Sequence, residues 1–477
     1  MSNLVYGVKD RPGLWKTILF AFQQVLAILA ATIVVPVIIN GNTMKMFLDG
    51  DIAFYSEMSQ SAALLGAGVG TIVYLLFTRF KSPVFLGSSF AFLGSMTAAF
   101  AGAASASAGY LGLIIGAVMA GLVYVVIALV VKYVGVKWIN KVMPPAVIGP
   151  TVAIIGLSLS GNAIGDIMKG GILVETVVNN APTMVSLCSP YIALLCAMVT
   201  LAVVIICSIY GKKMMKIIPF IIGICAGYAL AAIFTVIGNA ANIDALKVIN
   251  FSLFDNMQWL PDFTFVAGVE GFSNMGNFGS YLATLAVAYI PVAFVVFAEH
   301  LADHKNISSI IGEDLLKDPG LHRTLLGDGV GSMAGALFGG CPNTTYGESV
   351  GCVAISGNAS VVTIFTAAII CIASSFFAPF VTLLATIPAC VMGGVCITLY
   401  GFIAVSGLKM IQKVDLNKNY NLFTVSVILI AGVGGMTLNF GGITITSIAC
   451  ALILGILVNL LGTKAAKKEA VENHDEN

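Results

Sequence analysis

A carboxylate stands in one of the most apolar parts of this sequence, within the stretch Cys341 to Gly351, which reads Cys-Pro-Asn-Thr-Thr-Tyr-Gly-Glu-Ser-Val-Gly. A charged side chain at the centre of a bilayer costs about 2.5 kcal/mol or more, so Glu348 needs a partner or a task. The Pro, Asn and Gly residues around it disfavour a continuous helix, whereas the Thr-Thr-Tyr run favours a strand. We predict a short extended segment that turns into a half-helix near Gly347. Non-helical backbone within a bilayer is tolerated only where it is buried in protein or lines a cavity, which makes this stretch the expected binding site.

Two further acids lie together on one predicted helix. Glu299 follows the apolar run from Tyr289 to Ala298, and Asp303 comes four residues later, on the same helix face. Because burial disfavours a charge, such a group could hold a proton in one state of the protein and release it in another. The alternative is that Glu299 reaches water at the end of its helix. His300 and His304 point away from this face, and we interpret both as packing or interfacial residues.

The composition places these acids inside a membrane protein. The chain of 477 residues is 58% hydrophobic and 9% charged, and its mean hydropathy of +1.00 exceeds that of water-soluble globular proteins of this length. Basic residues precede the first apolar segment, but no small-residue cleavage site follows, so we expect this segment to be retained. The ten Cys show no metal or disulfide spacing, which predicts no metal site and no cofactor. A net charge of +1, with dispersed basic residues, favours no nucleic-acid partner.

Fourteen apolar segments are candidates to cross a bilayer, for which a helix needs about 20 residues. The first seven lie at 14 to 40, 58 to 78, 84 to 105, 109 to 131, 143 to 162, 189 to 210 and 217 to 238. The second seven lie at 280 to 303, 323 to 340, 342 to 357, 360 to 383, 386 to 409, 421 to 436 and 442 to 462. A longer polar connection, from 239 to 279, separates the two sets.

The charges of the loops support this count. The odd-numbered loops carry only Lys45, Lys169 and Lys247 as basic residues, whereas the termini and the even-numbered loops carry the others. Positive charge accumulates on the cytoplasmic side, so both termini are expected in the cytoplasm of a multi-pass protein of the plasma (inner) membrane. We expect the charged tail from 464 to 477 to be disordered and cytoplasmic.

The two halves of the chain also carry similar sequence motifs at corresponding positions. The pattern Pro-x-x-Val-x-Gly opens the fifth segment at Pro144 and the twelfth at Pro388. A Gly/Ser-interrupted stretch from Gly87 to Phe92 lies in the third segment, at the place that corresponds to the tenth. Because each half has an odd number of spans, the repeats must be inverted, and matching interrupted segments point to a transporter site near the midplane. Chance recurrence of Gly and Pro motifs in membrane helices is the alternative.

These motifs resemble the nucleobase–ascorbate transporter family, also called the nucleobase cation symporter 2 family, and within it the branch of bacterial uracil permeases. The similarity covers nearly the whole chain, and the string Asn-Thr-Thr-Tyr-Gly-Glu is more specific for the uracil branch than for the purine branches. The stretches that carry it are 298 to 300, 318 to 323, 342 to 348, 391 to 394 and 87 to 92.

The resemblance implies an all-α polytopic fold of 14 transmembrane segments in a 7+7 inverted repeat, with two short antiparallel β-strands in segments 3 and 10. It implies a core domain at 1–135 and 280–384, a gate domain at 136–240 and 385–463, an extracytoplasmic connection at 241–279 and a cytoplasmic tail at 464–477. The strands would meet at the substrate.

The resemblance further implies a proton-coupled symporter, not an enzyme, that imports uracil or a related nucleobase by an elevator-like motion of the core against the gate. It would be a homodimer through the gate domain, surrounded by lipid. The resemblance implies Glu299, Glu348, Phe90, Tyr346 and Tyr400 as substrate-binding residues, and Gly347 would let the backbone approach the substrate. We expect Glu299 and, on the same helix face, Asp303 to serve in proton coupling, with Gln24 and His304 as possible accessory residues. Some uracil permeases of this family carry His where this chain has Asp303 and Gln24, so the proton relay inferred for them does not carry over intact.

Structural roles compete with these assignments. Glu348 could cap the N-terminus of its half-helix, the three aromatic residues could be packing residues, and Gln24 could satisfy polar groups between helices. Asp328, at the start of the ninth segment, is interpreted as structural and near the cytoplasmic water interface.

Three other functions are weighed against uracil symport. A xanthine or other purine permease of the same family stays open. Thymine and 5-substituted uracils stay open as substrates as well, because one methyl group in a pocket is worth only about 1 to 3 kcal/mol. Sodium coupling is open as well. An anion transporter of the same fold should offer a cation or free half-helix N-termini without a carboxylate, which the acidic stretch disfavours. A membrane enzyme would need a catalytic metal set, a nucleophile elbow or a phosphate-binding loop, and the sequence has none.

Overall fold

The computed structural model describes residues 4–178, 181–212, 214–274, 276, 278–440 and 443–475. Its helices in the first half of the chain are α1 Leu14–Leu48, α2 Gln60–Phe77, α3 Leu93–Ala101, α4 Ala106–Val134, α5 Lys137–Val142, α6 Pro145–Ser158, α7 Ser160–Asp166, α8 Pro190–Tyr210, α9 Met214–Ile217 and α10 Pro219–Ala241. Those in the second half are α11 Thr264–Gly271, α12 Phe278–Ile311, α13 Leu321–Gly339, α14 Gly347–Ser356, α15 Val361–Ser375, α16 Ala378–Ala385, α17 Ala389–Ile411, α18 Asn419–Val433 and α19 Ser447–Asp475. The strands are β1 Leu86–Ser88, β2 Leu173–Val178, β3 Ala181–Ser186, β4 Asn343–Thr345, β5 Leu438–Phe440 and β6 Ile443–Ile445.

The protein is a mostly helical, multi-pass membrane protein. Within the described ranges, nine helices are long and apolar enough to cross a membrane, or ten if α15 and α16, which meet at 83°, form one bent span. The other predicted segments coincide with α13, with α18, and with two broken segments that begin at β1 and β4. The count of fourteen spans and the inverted repeat therefore stay predictions.

The expected antiparallel strands are present in the two broken segments. β1 pairs with β4 in the register Leu86 to Thr345, Gly87 to Thr344 and Ser88 to Asn343. All six residues of the pair are buried. Two further hairpins, β2–β3 and β5–β6, were not predicted, and each lies in a connection between helices.

The helices pack in two groups that share α12. In one group, α2 packs on α13 and α15, and α4 packs on α13, α11 and α12. In the other group, α6 packs on α17 and α18, and α8 packs on α10 and α17. Close approach depends on glycine, since a Cβ atom at Gly66 of α2 would lie 2.5 Å from the carbonyl oxygen of Gly335 in α13. Contacts of α12 with α6 and α19 connect the two groups.

The segment before α1 is fastened to the turn that follows α14. The backbone N–H groups of Val5 and Tyr6 donate to the Gly357 carbonyl at 2.8 and 3.1 Å, and Ala359 N–H donates to the Tyr6 carbonyl at 2.9 Å. The Ser360 hydroxyl donates to the Asp10 carbonyl at 2.6 Å. The N-terminal segment thus links α1 to the end of α14 and the start of α15.

The C-terminal tail differs from its prediction. The helix α19 continues through 464–475 as far as Asp475, so the expectation of disorder there is wrong for the described residues. This part of the sequence is rich in Ala, Lys and Glu, which are good helix formers and can extend a helix that begins in an apolar segment.

Candidate functional site

A cavity of about 410 Å³ lies between the two groups of helices. One wall is formed by β4, α12 and α14, and the opposite wall by α6, α8, α9, α10 and α17. The size is typical of a site for a small organic molecule.

One stripe of α12 faces this cavity. Glu299, Ala302, Asp303 and Asn306 all line it, and their spacing of three, four and seven residues from Glu299 places them on one side of a helix. Glu299 is half-buried, and it has no ion pair or side-chain hydrogen bond among the described residues, so its carboxylate can accept from a ligand. Asn306 was not predicted, although its spacing from Glu299 would have indicated it.

The half-helix α14 begins at the other carboxylate. Glu348 lies in its first turn and lines the cavity. The first N–H groups of a helix have no partner within it, and Gly347 leaves this end exposed towards the cavity. The helix N-terminus therefore offers donors next to a carboxylate acceptor, so capping and ligand contact are compatible roles for Glu348.

The strand pair holds α14 in place through main-chain bonds on both sides of the β1–β4 register. Ser89 N–H donates to the Pro342 carbonyl at 2.9 Å, and Tyr346 N–H donates to the Phe85 carbonyl at 3.1 Å. The Tyr346 hydroxyl donates to the Ser88 carbonyl at 2.7 Å. Tyr346 lines the cavity, but its hydroxyl already donates its proton to the Ser88 carbonyl. The expected donation to a ligand would require this hydrogen bond to break.

Gln24 lies behind the site and not at the cavity. Its amide donates to the hydroxyl of Ser349, the residue after Glu348, and Phe85 N–H donates to the same oxygen at 3.0 Å. Both Gln24 and Ser349 are buried. The side chain therefore joins α1 to the first turn of α14 and to the start of β1, as the interhelical interpretation predicted.

Thr345 is a supporting residue that the sequence analysis missed. Its hydroxyl donates to Asp303 Oδ2 at 2.8 Å, and both side chains are buried. Threonine is common in strands and in membrane segments, so nothing in the sequence marks this one. The bond fixes the carboxylate of α12 relative to β4.

The two histidines of α12 lie on the side away from the cavity. His300 contacts Asp328 Oδ2 through Nδ1 at 2.7 Å and Thr324 Oγ1 through Nε2 at 3.0 Å. The His304 ring stacks on that of His300 with centroids 3.9 Å apart, and its Nε2 lies 2.7 Å from the Tyr74 hydroxyl. Asp328 is 1% exposed, and its contact with His300 supports the structural role expected for it. His304 does not line the cavity, and we see no accessory contact from it.

The aromatic pair expected at the site bridges the two walls. Phe90 lines the cavity, and its ring meets that of Tyr400 of α17 edge to face, with centroids 5.6 Å apart. Tyr400 itself lines a separate cavity of about 140 Å³ beside α6 and α7, so its contact with the main cavity is made through Phe90.

Helices of membrane-spanning length around an acidic, half-enclosed cavity define a membrane permease. Residues 15–441 match the model of a permease family. The chain belongs to this family, the nucleobase–ascorbate transporter family, as its motifs predicted. Membership indicates a transporter.

Similar proteins cover almost the whole chain. A uracil permease of Bacillus caldolyticus is 36% identical over 482 residues, which cover 99% of this chain and 98% of that protein. Uracil permeases of Bacillus subtilis strain 168 and of Escherichia coli strain K12 are 34% and 33% identical over 97% of this chain and over 96% and 94% of their own lengths.

Two solved structures share the fold. The transmembrane domain of the cyanobacterial bicarbonate transporter BicA has a TM-score of 0.55 at 16% identity, covering 95% of this chain and 98% of that one. The murine anion transporter Slc26a9 in its inward-facing state has a TM-score of 0.64 at 10% identity, covering 96% of this chain and 69% of that one. At such identities the likeness concerns architecture alone.

Substitution of Gly87 by alanine should disrupt the strand pair. A Cβ atom there would lie 2.4 Å from the Tyr346 ring, whose hydroxyl is held by Ser88, so overpacking should cost about 1 to 3 kcal/mol. Thermal unfolding of purified protein in detergent measures the loss. Gly41→Ala is the control, because its Cβ would meet no atom within 4 Å. Equal melting temperatures for the two variants would contradict the close packing.

Substitution of Thr345 by valine keeps the shape of the side chain and removes the donor to Asp303. Loss of a hydrogen bond to a carboxylate should lower the free energy of unfolding by about 1.5 to 3 kcal/mol, whereas Thr345→Ser should retain most of it. The same unfolding experiment separates the two variants. A valine variant as stable as the serine variant would contradict a stabilising role of this hydrogen bond.

Proposed function

We propose that this protein is a secondary active transporter that imports uracil together with a proton. The observation that supports this most is the cavity itself, where Glu299 and Glu348 face one small space beside the free N-terminus of α14. The names of its similar proteins, three of them uracil permeases, support the substrate.

The chemistry of the cavity fits a uracil ring. Uracil presents N–H donors and C=O acceptors in one plane, and carboxylates accept from N–H groups while free backbone N–H groups donate to carbonyls. Glu348 and Glu299 supply the acceptors, and the backbone at Gly347 supplies donors. The Phe90 ring offers an apolar face against which a planar ring can pack.

The proposed architecture is the fourteen-span inverted repeat with a core at 1–135 and 280–384 and a gate at 136–240 and 385–463. The packing of α2, α4 and α13 in one group and of α6, α8 and α17 in another supports this division. The acids and both central strands then belong to the core, and the opposite wall of the cavity belongs to the gate. Transport would consist of an elevator-like displacement of the core, with dimerisation through the gate.

The cavity would open to the cytoplasm of the cell. It extends along α12 from Glu299 to Asn306 and reaches Lys216 in the linker between α8 and α10. The distribution of basic residues supports a position of that linker and of both termini on the cytoplasmic side of the plasma membrane. The structure would then correspond to an inward-open state.

Uptake of radiolabelled uracil into proteoliposomes tests the proposal. A proton gradient and a sodium gradient are imposed separately, and a protonophore is added as a control. Accumulation that follows only the proton gradient and collapses with the protonophore supports the proposal. Absence of uptake under both gradients contradicts it, and xanthine and chloride or sulfate are then the next substrates, because a purine permease and an anion transporter are the alternatives within the family and the fold.

Glu348→Gln should abolish uracil binding. An amide replaces one acceptor oxygen by a donor that faces the N–H groups of uracil, so affinity should fall by about 100-fold or more. Equilibrium binding to the purified protein measures this, with Glu270→Gln, an exposed residue of α11, as the control. Retained high affinity in Glu348→Gln would remove this residue from the site.

Glu299→Gln should impair proton-driven accumulation more than exchange. A permanently neutral side chain cannot pick up and release a proton, whereas exchange of internal for external uracil needs no net proton movement. Both rates are measured in the same proteoliposomes, with Glu313→Gln, an exposed residue after α12, as the control. An equal reduction of the two rates would indicate a binding role without a coupling role.

A further inference from the structure

The hydroxyl of Thr344 is a polar group of the cavity wall that neither the motifs nor the proposed binding chemistry uses. Thr344 is the central residue of β4, is 1% exposed and lines the cavity. Its Oγ1 atom is buried and has no hydrogen-bond partner within the described ranges. Buried hydroxyl groups nearly always have a partner, because an unpaired one destabilises the folded protein, so this exception calls for an explanation.

The alternation of side chains along β4 places Thr344 on the cavity face of the strand. Successive side chains of a strand point to opposite faces, so Thr344 shares its face with Tyr346, and both line the cavity. On the other face, Asn343 donates to a backbone carbonyl of α2 at 2.8 Å, and Thr345 donates to a carboxylate of α12 at 2.8 Å. The side chains of β4 that belong to the protein's own hydrogen-bond network are therefore distinct from that of Thr344.

The Thr344 hydroxyl is free to turn towards a ligand. Rotation about the Cα–Cβ bond exchanges the positions of Oγ1 and Cγ2 among staggered rotamers. In the part of the chain that the structure describes, no hydrogen bond holds Oγ1 in its present position. The hydroxyls of Thr345 and Tyr346, in contrast, would first have to give up their bonds to Asp303 and to the Ser88 carbonyl.

The proposed site has too few donors for a uracil ring without Thr344. The carboxylates of Glu299 and Glu348 can accept from the two N–H groups of uracil. The two carbonyls flank one N–H and point in different directions, so the closely spaced N–H groups at Gly347 can serve one of them. Among the described lining residues of β4, α12 and α14, the hydroxyl and amide donors outside protein hydrogen bonds are those of Thr344 and Asn306. Asn306 is exposed and lies about 10 Å along α12 from Glu299, which leaves Thr344.

We propose that Thr344 is a further substrate-binding residue, whose hydroxyl donates a hydrogen bond to a ring carbonyl of the nucleobase. This inference deepens the proposed function and rests on it. The hydroxyl gains a partner upon binding, so it contributes to affinity and not to the stability of the ligand-free protein. A site that hydrogen-bonds a substrate group discriminates against analogues that lack this group, so Thr344 would select for a carbonyl at one position of the ring.

Thr344→Val keeps the shape of the side chain and removes the hydroxyl. Equilibrium binding of uracil to the purified variant should weaken by about tenfold, whereas Thr344→Ser should stay within about threefold of the wild type. The melting temperature without uracil should be unchanged or slightly raised in Thr344→Val, because the hydroxyl has no protein partner to lose. Thr345→Val is the matched control, and its melting temperature should fall because it loses the bond to Asp303.

Two sulfur analogues identify the carbonyl that Thr344 contacts. Sulfur accepts hydrogen bonds more weakly than oxygen, so 2-thiouracil and 4-thiouracil each weaken one acceptor of the ring. The affinity of each analogue relative to uracil is measured in the wild type and in Thr344→Val. For the analogue with sulfur at the contacted position, the loss of affinity relative to uracil should largely disappear in Thr344→Val, and for the other analogue the ratio should be unchanged.

The binding of uracil by the wild type separates this inference from the proposed function. A wild type that neither binds nor accumulates uracil would contradict the proposed function, and the inference with it. If the wild type binds uracil and Thr344→Val binds it equally well, the inference alone is wrong. Equal losses for uracil and both analogues, a Thr344→Ser as weak as Thr344→Val, or a lower melting temperature of Thr344→Val would assign the residue to packing and overturn the contact.

Discussion

The pairing of β1 with β4 is the constraint on which the rest of the site depends. Extended backbone inside a membrane exposes N–H and C=O groups that lipid cannot satisfy, at a cost of several kcal/mol for each unpaired group. The strands β1 and β4 lie more than 250 residues apart in the chain, and each satisfies backbone groups of the other. They pair over three residues, and one further main-chain hydrogen bond forms at each end of the pair. Because they do so, α14 can begin in the interior of the protein and present its first turn, with Glu348, to a cavity.

The helix α12 has two polar faces with different tasks. Glu299 and Asp303 face the cavity, while His300 and His304 face the interior of the first helix group and are bonded there to α13 and α2. An α12 rotated by one residue would exchange a carboxylate for an imidazole at the cavity. The buried hydrogen bonds on the far side therefore select the rotation that makes the cavity acidic, and the bond from Thr345 supports the same choice from β4.

Much of the site could be predicted from the sequence, because a carboxylate in an apolar segment stands out. Glu299, Asp303 and Glu348 were found this way, and all three line the cavity. The roles of Thr345 and Ser349 could not be predicted, because hydroxyl residues are common in membrane segments. Only the fold shows which partner each hydroxyl contacts. The positions of Gln24 and His304 depend on helix rotation and packing, which periodicity alone does not determine.

The fold, like the site, could be predicted from the sequence only in part. The interrupted segments followed from Gly, Ser and Pro in apolar sequence, and their paired strands were expected from the family resemblance. The hairpins β2–β3 and β5–β6 were not predicted, although the Gly-Gly sequence at 441–442 is a typical two-residue hairpin signal. The charge of the tail predicts disorder, whereas its Ala, Lys and Glu residues favour the helix that the structure shows.

The distance in sequence between β1 and β4 has a consequence for biogenesis. When the first half of the chain enters the membrane, the strand Leu86–Ser88 has no partner strand yet. The N-terminal segment likewise lacks its hydrogen-bond partners in the turn at Gly357. Contacts between remote parts of a chain form late, and unpaired edges expose it to wrong partners in the meantime. The nascent protein must therefore hold an unfinished backbone edge in or near the bilayer until about three quarters of it has been synthesised. Insertion factors that shield this edge would then govern the yield of folded protein more than the stability of the finished fold does.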